Sequence, residues 1–287
     1  MHKQLKLFII GNPRSGTSLL RIMLNSNNSI VVPPECGYIQ WWYFKYKDWP
    51  VGGNLQNFID DLRTSKKIET WQLDYKLLYE YLKENQPESY QSLIFKVIEF
   101  YGFSKHNKFK TDVLGDKNNY YINHLEQLKQ IAPKAKFIFI VRDPRDVYCS
   151  YKGIAKLNSA SAYVPNLPQD LDGFIKSWNQ NQKQIIEFIK ELNWSNYHIL
   201  NYEDLVSNTQ FELKEICNFL EVNFTDEMLS YYTSNDEPQD LLDWKKKTLK
   251  PPDVSSIGQY SKLLQIDEIQ KIVSKTFDTY TSLKTFN

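Results

Sequence analysis

The chain has 287 residues, of which 41% are hydrophobic and 24% charged, so it can bury one sizeable core. Its formal net charge of +1 excludes a global basic field for nucleic acid or for an anionic membrane, and any anion site must be local. The three cysteines, Cys36, Cys149 and Cys217, are scattered and odd in number, which argues against a disulfide framework and a clustered metal site.

The first residues lead directly into an apolar segment, which leaves no room for a signal peptide. No apolar run approaches the ~20 residues that a membrane-spanning helix needs. We therefore expect a cytoplasmic protein without a membrane span, in a reducing compartment, and a single domain over residues 1–287.

Segments with strand and helix character alternate along the chain, which predicts an α/β fold with a central parallel sheet flanked by helices. In chain order the predicted strands are 5–10, 29–32, 111–115, 136–141 and 196–201. An aromatic-rich helical insertion, about 36–110, follows the second strand, where insertions commonly form acceptor pockets.

The second half of the chain contains two predicted helices and one predicted loop. Apolar periodicity predicts a long helix over about 169–193, with Asp170 or Asp172 as its N-cap, and a terminal helix from Lys262 to about Leu283. Small residues and two prolines predict a surface loop over 157–168, which is a candidate lid over an acceptor.

The segment 7–21 runs from an apolar strand through a glycine-bearing turn into an amphipathic helix. Gly11 and Gly16 have the spacing of the two glycines in a nucleotide-binding P-loop, whose backbone N–H groups and following helix face one anion. Thr17 stands where a P-loop NTPase has the lysine that reaches the terminal phosphates. Arg14 lies inside the loop instead and offers forked donors to a tetrahedral oxyanion. The alternative is an ordinary strand-to-helix turn.

The residues Pro13-Arg14-Ser15-Gly16-Thr17 resemble the first strand–loop–helix of the sulfotransferases that use 3′-phosphoadenosine 5′-phosphosulfate (PAPS). The resemblance implies a P-loop NTPase-like sulfotransferase fold. It further implies that the loop binds the 5′-phosphosulfate through five residues, Arg14, Ser15, Gly16, Thr17 and Ser18.

A second motif follows the apolar strand at 136–141 and begins Arg142-Asp-Pro. In the same family, the arginine that ends this strand and a serine further along hold the 3′-phosphate, and Arg142 and Ser150 match those positions. The alternative is a capped helix with solvated arginines. An acidic Walker B residue is missing here, which disfavours an ordinary NTPase.

Two further residues match catalytic positions of the family. Glu35 follows the short second strand, and in the tyrosylprotein and bacterial branches a glutamate there takes the proton from the acceptor hydroxyl. Lys117 ends a predicted strand, where many sulfotransferases keep a lysine that stabilises the leaving phosphate, a role that Arg14 would support. Asn119 stands where the cytosolic phenol and steroid branch has its histidine base, which strengthens the case for Glu35. The alternatives are a solvated carboxylate and a solvated lysine.

Late segments also resemble the family. Tyr202 follows the last strand, as does the tyrosine whose ring packs on the adenine, although a core aromatic is the alternative. Residues about 244–260 form a basic, proline-broken loop whose counterpart covers the nucleotide, and here Lys250 and Ser256 are candidate contacts. A merely solvated charge run is the alternative for this loop.

Together these residues predict transfer of a sulfuryl group from PAPS to an acceptor hydroxyl or amine, with no metal. The acceptor class stays open among small molecules, carbohydrates, lipids and peptides, and the oligomeric state is also open. The first alternative function is a P-loop-type kinase of a small molecule, and the second is a non-catalytic nucleotide-binding scaffold.

Overall fold

The computed structural model describes residues 4–157, 159–238 and 243–286. At its centre lies a parallel sheet of five strands in the order β2-β3-β1-β4-β5. The strands are β1 (Leu5–Gly11), β2 (Ile30–Val31), β3 (Val113–Lys117), β4 (Lys136–Val141) and β5 (Tyr197–Asn201). The α/β fold with a central parallel sheet, as predicted from the sequence, is therefore confirmed.

The apolar runs of β1 and β4 explain their place in the middle of the sheet, because a strand covered by helices on both faces must be hydrophobic throughout. Phe8 and Phe139 pack into a core on one face of the sheet. Leu7 and Ile138 pack into a second core on the other face. Strand β1 therefore lies between two hydrophobic cores, and both cores stabilise the edge of the sheet at which its carboxyl end lies.

Helices cover both faces of the sheet and fill the segment between β2 and β3, as predicted for the insertion. The α-helices are α1 (Thr17–Asn25), α2 (Tyr38–Trp41), α3 (Tyr43–Tyr46), α4 (Leu55–Arg63), α5 (Tyr75–Asn85), α6 (Tyr90–His106), α7 (Leu125–Ile131), α8 (Pro144–Ala155), α9 (Leu171–Lys190), α10 (Tyr202–Ser207), α11 (Thr209–Leu220), α12 (Tyr260–Leu263) and α13 (Ile266–Lys284). Short 3₁₀ helices include Ile68–Trp71, Asn119–His124, Asp243–Leu249 and Val254–Ser256.

Several predicted boundaries are wrong, and β3 begins at Val113 rather than at 111. Strand β3 ends at Lys117 rather than at 115, because its polar last residues are buried and continue the pairing with β1, where Lys117 lies opposite Ile9. The terminal helix is divided into α12 and α13, because Leu264 is extended and Gln265 begins a new helix by a capping box with Glu268.

The long helix α9 is shorter by a few residues than the predicted 169–193, and Asp170 is its N-cap, accepting a hydrogen bond from the backbone N–H of Gly173 at 2.7 Å. Across the described residues, no helix combines the length and the apolar character that crossing a bilayer would need.

All five strands are parallel, so their carboxyl ends meet at one edge of the sheet. Gly11 ends β1, Lys117 ends β3, Arg142 follows β4, and Tyr202 follows β5. Glu35 lies in the loop after β2. Open α/β sheets bind ligands at this edge, and the polar side chains of the sequence motifs are therefore gathered there by topology.

Candidate active site

The loop between β1 and α1 has the backbone of an anion cradle. Arg14 has a φ of 72° and Gly16 a φ of 101°, and the Ser15 N–H donates to the Asn12 carbonyl at 3.1 Å. These positive φ values turn the chain sharply into α1, which begins at Thr17. The Ser15 Oγ is buried and has no hydrogen-bond partner among the described residues. A buried, unpaired hydroxyl in such a turn fits a site for an anionic ligand.

Replacing Gly16 with alanine is expected to destabilise the protein by about 1–3 kcal/mol, because a φ of 101° is strained for any residue with a Cβ. The added Cβ would also collide with the ring of Tyr202, whose Cε2 would lie 2.9 Å away. Urea unfolding followed by circular dichroism measures this loss.

Gly153, inside helix α8, provides the matched control. A Cβ built at Gly153 has no heavy atom within 4 Å apart from its chain neighbours and the backbone of its own helix. Gly153→Ala is therefore expected to raise stability by roughly 0.5–1 kcal/mol, as alanine does in helix interiors. Equal effects of the two substitutions would contradict the constraint at Gly16.

Two arginines and two serines from distant parts of the chain form one cluster beside this loop. The Arg14 Nε donates to the Ser150 Oγ at 3.0 Å. The Arg142 Nη1 donates to the Arg14 carbonyl at 3.0 Å, and its Nη2 donates to the Ser256 carbonyl at 2.8 Å. The Arg142 Nε is buried without a hydrogen-bond partner among the described residues. The cluster joins the first motif, the second motif and the late basic loop.

Tyr202 lies under this cluster rather than apart from it. Its ring faces the Arg142 guanidinium at 4.3 Å, and its hydroxyl shares a hydrogen bond with the Ser256 Oγ at 2.7 Å. The same ring packs against Gly16. These contacts support the loop and the arginine. Tyr202 is 8% exposed and lines the cavity described below. Its contact with an adenine stays a prediction.

The two guanidiniums are close together, and in the part of the chain that the structure describes the carboxylate that acts on Arg142, Asp146, forms no ion pair with it. Among the described residues, neither Arg14 nor Arg142 has an acidic partner within ion-pair distance. Burial and the charge of Arg142 lower the pKa of Arg14 to about 10, so Arg14 is still charged at neutral pH. Two neighbouring cations in a partly buried site favour an anion of more than one charge.

Glu35 and Lys117 form a buried ion pair, with the Lys117 Nζ 2.6 Å from Glu35 Oε2. A second lysine, Lys67, lies 2.8 Å from Glu35 Oε1. Burial favours the protonated form of Glu35, but the charges of Lys117 and Lys67 outweigh it, and the pKa of Glu35 lies well below its usual range. The carboxylate is therefore ionised, and each of its oxygens already has a cationic partner.

A third lysine, Lys245, is buried and lies near this pair. Its Nζ is 2.8 Å from Glu237 Oε2, and burial lowers its pKa to about 8. The charge of Lys245 also lowers the pKa of Glu35. Sequence reasoning missed both Lys67 and Lys245. The only sequence signal for Lys245 is its place at the start of the basic run 245–247, and Lys67 belongs to no motif.

Glu35, Lys117 and the loop between β1 and α1 line one cavity, which has a volume of about 940 Å³, and the remaining predicted residues lie around it. Thr17 donates to the Asn119 Oδ1 at 3.2 Å, which ties α1 to the edge of β3. Ser18 lines the cavity, and Lys250 lies exposed at its rim. Tyr163 and the following residues up to 168 also line the cavity, the lid itself stays a prediction, and residue 158 of that loop lies outside the described residues.

Of the aromatic residues after Glu35, Trp41 lines the cavity, while Trp42 donates to the Ser65 Oγ and Tyr46 donates to Asp61 of α4, both within the insertion. Within the described ranges, no three His, Cys, Asp or Glu side chains are grouped so as to hold a metal ion.

With this geometry established, comparison with known proteins assigns the family. The model of the sulfotransferase family matches residues 6–226, which is well over half of the chain. The chain belongs to the sulfotransferase family. It is 23% identical to a putative protein-tyrosine sulfotransferase of Caenorhabditis briggsae over 237 residues, which cover 83% of this chain and 72% of that protein. Several other curated sulfotransferases match over only 35% to 36% of their own length.

Solved sulfotransferase structures share the fold. The sulfotransferase domain from the curacin biosynthetic pathway superposes with a TM-score of 0.60 and 23% identity, over 96% of this chain and 98% of that one. Mouse sulfotransferase SULT7A1, solved in complex with PAP, superposes with a TM-score of 0.53 and 17% identity, over 99% and 90% of the two chains. The fold predicted from the two phosphate motifs is thereby confirmed for most of the chain.

Proposed function

We propose that this sulfotransferase takes its sulfuryl group from PAPS and transfers it to an acceptor hydroxyl or amine. The observation that carries the proposal is the pair of neighbouring guanidiniums, Arg14 and Arg142, held at the carboxyl edge of the sheet without an acidic partner among the described residues. The buried, unpaired Ser15 Oγ and Arg142 Nε supply further donors that fit a ligand carrying two phosphate groups.

The donor-binding roles follow from the position of each group. The loop N–H groups of Ser15 to Ser18 would hold the 5′-phosphosulfate at the N-terminus of α1. Arg142 and Ser150 would hold the 3′-phosphate, and Ser256 closes the site from the late loop. Arg14 bonds to Ser150, so we place its guanidinium between the two phosphate positions.

The catalytic roles fall to the buried pair beside this loop. Lys117 lies in β3 next to β1, so its ammonium would stabilise the charge that develops on the leaving phosphate oxygen. Glu35, ionised in this structure, would accept the proton of the acceptor. The acceptor would enter from the side of the lid, between residues 163–168 and the insertion. A small molecule, a carbohydrate, a lipid or a peptide could supply the hydroxyl.

A titration of the purified protein tests the donor. We expect calorimetry to show binding of 3′-phosphoadenosine 5′-phosphate (PAP) without added metal, and much weaker binding of adenosine 5′-phosphate. A preference for magnesium-ATP would favour a kinase, and binding of none of these nucleotides would favour a scaffold or another donor. Thr17 in place of the P-loop lysine argues against the kinase.

Replacing Arg142 with alanine is expected to weaken PAP binding by about 10–100-fold, because a charged hydrogen bond contributes roughly 1.5–3 kcal/mol. Binding of adenosine 5′-phosphate, which lacks the 3′-phosphate, should change far less. Arg145→Ala is the matched control, since Arg145 is paired with Asp143 at 2.5 Å. Equal losses for the two nucleotides in Arg142→Ala would refute the 3′-phosphate assignment.

A further inference from the structure

Glu35 has a lysine on each carboxylate oxygen, and the two lysines come from different parts of the fold. Lys117 is the last residue of β3, next to the strand that leads into the anion-binding loop. Lys67 lies at the start of the 3₁₀ helix Ile68–Trp71, within the helical insertion. One lysine is therefore on the donor side of the carboxylate and the other on the acceptor side.

The proposed reaction requires a change in these contacts. A carboxylate that takes a proton from an acceptor needs one free oxygen within hydrogen-bond reach. Lys117 is the partner placed to leave Glu35, because it is adjacent to the phosphate-binding edge. If both lysines left, Glu35 would be a buried carboxylate whose nearest remaining cation, Lys245, is bound to Glu237, and such a group takes up a proton before it can act as a base.

The position of Lys67 is fixed by its backbone and by the lid. Lys67 has a φ of 73°, and its carbonyl accepts hydrogen bonds from Thr70 N at 3.0 Å and Thr70 Oγ1 at 2.7 Å. The Tyr163 ring of the lid lies 5.9 Å from the Lys67 Nζ, and the Tyr163 hydroxyl donates to Glu69. Lys67 thus lies between Glu35, to which its Nζ bonds, and Tyr163, which bonds to Glu69 in the same turn.

We propose that Lys67 is a positioning residue that stays bonded to Glu35 Oε1 and keeps the carboxylate ionised when Lys117 turns to the donor. This inference rests on the proposed function, because it requires a donor phosphate to attract Lys117. Oε2 of Glu35 would then be free to accept the proton of the acceptor. The family match and the sequence motifs assign no role to Lys67.

Two other titratable groups, Lys245 and Asp116, face Glu35 and bear on any proton measurement. Lys245, from the 3₁₀ helix Asp243–Leu249, is a further cation, and it is bound to Glu237. Asp116 of β3 is the neighbouring carboxyl, and burial raises its pKa to about 7 despite a hydrogen bond from Tyr121. A proton taken up in this site can therefore go to Glu35 or to Asp116, and the experiment must separate them.

The test measures the protons taken up when PAP binds, by calorimetry at neutral pH in buffers of different ionisation enthalpy. PAP carries the phosphate oxygen that would attract Lys117, and no acceptor is needed. In Lys67→Met we expect PAP binding to take up on the order of one proton more than in the wild type, as Glu35 loses both cations. Lys67→Arg keeps the charge and should restore the wild-type value.

The double variant Lys67→Met/Glu35→Gln assigns the proton, and its excess uptake should vanish. Lys67→Gln is a second variant in case the methionine impairs folding, which circular dichroism detects. Equal uptake in the wild type and in both uncharged variants would overturn the inference, as would an excess that persists without Glu35. Failure of the wild type to bind PAP would overturn the proposed function, and the inference with it.

Discussion

Replacing Glu35 with glutamine is expected to lower kcat by about 10²–10⁴-fold, the usual contribution of a general base, while PAP still binds. The amide has nearly the shape of the carboxylate, but its single oxygen can accept from only one of Lys117 and Lys67, which bond to different carboxylate oxygens, and it cannot take the proton of the acceptor. Radiolabelled sulfuryl transfer from PAPS to the first acceptor that the wild type modifies measures the loss, and calorimetry with PAP measures binding.

The matched control for this substitution is Glu84→Gln, because Glu84 is exposed on α5 and does not line the cavity. The control should transfer at the wild-type rate. A loss in rate of less than about tenfold in Glu35→Gln would be smaller than the roughly 10²-fold that a general base contributes at the least, and it would remove Glu35 from that role.

The same geometry predicts the pH dependence of the wild type. The lysine charges hold the pKa of Glu35 well below its usual range, against the effect of burial. Glu35 is therefore already ionised throughout the neutral range. The enzyme loses activity through protonation of Glu35 only at a pH below the usual pKa of a glutamate. We expect kcat/KM to stay level on the acidic side of neutrality, since that ratio reports the free enzyme.

Replacing Arg21 with methionine is expected to destabilise the protein by about 3–5 kcal/mol, because it removes the buried arginine that pairs with Asp236 and Glu237, of which Glu237 keeps Lys245 as a partner. Arg21 is fully buried in α1, with its Nη2 2.7 Å from Asp236 Oδ1 and 3.0 Å from Glu237 Oε1. Its Nη1 also donates to the Val32 carbonyl at 3.1 Å. Urea unfolding followed by circular dichroism gives the free energy of unfolding.

Lys129→Met is the matched control, since it removes the exposed ion pair that Lys129 forms with Glu191 at 3.2 Å. Exposed pairs contribute about 0–1 kcal/mol, so this variant should be nearly as stable as the wild type. A loss below about 1 kcal/mol in Arg21→Met would show that the buried carboxylates are neutralised by other groups.

The Arg21 variant should also change the response to acid. Burial raises the pKa of Asp236, but the Arg21 charge outweighs it, and the resulting pKa lies below the usual range. A carboxyl group whose pKa is lower in the folded than in the unfolded state stabilises the fold at pH values above its unfolded-state pKa. That stabilisation is lost as the pH falls towards the folded-state pKa. Without Arg21 the pKa rises, so Arg21→Met should lose less stability between neutral and acidic pH than the wild type.

Much of the phosphate-binding region could be predicted from local sequence. The glycines at 11 and 16 act within one turn, between a strand and a helix that are adjacent in the chain, so their spacing already indicates the cradle. Arg142 likewise follows an apolar strand directly. The terminal helix was less predictable, because the cap at Gln265 interrupts an apolar pattern that continues on both sides.

The surroundings of Glu35 could not be predicted in this way. Lys67 is 32 residues away in the chain and Lys117 is 82 residues away. No sequence periodicity links residues so far apart, and a single lysine in a sequence is expected to lie at the surface. The bond between Arg14 and Ser150, 136 residues apart, likewise depends on the order of the strands. The acceptor, the lid and the cytoplasmic location stay predictions.

The sequence by itself determined the strand–loop–helix units and the family, because these depend on residues that are neighbours in the chain. Only the tertiary structure decided which side chains share the site. The parallel sheet brings the carboxyl ends of separate strands to one edge, and the insertion and the late loop add Lys67 and Lys245 from outside it. Because these groups are buried, the pKa of each depends on the charges of the others, and a local sequence pattern cannot show this.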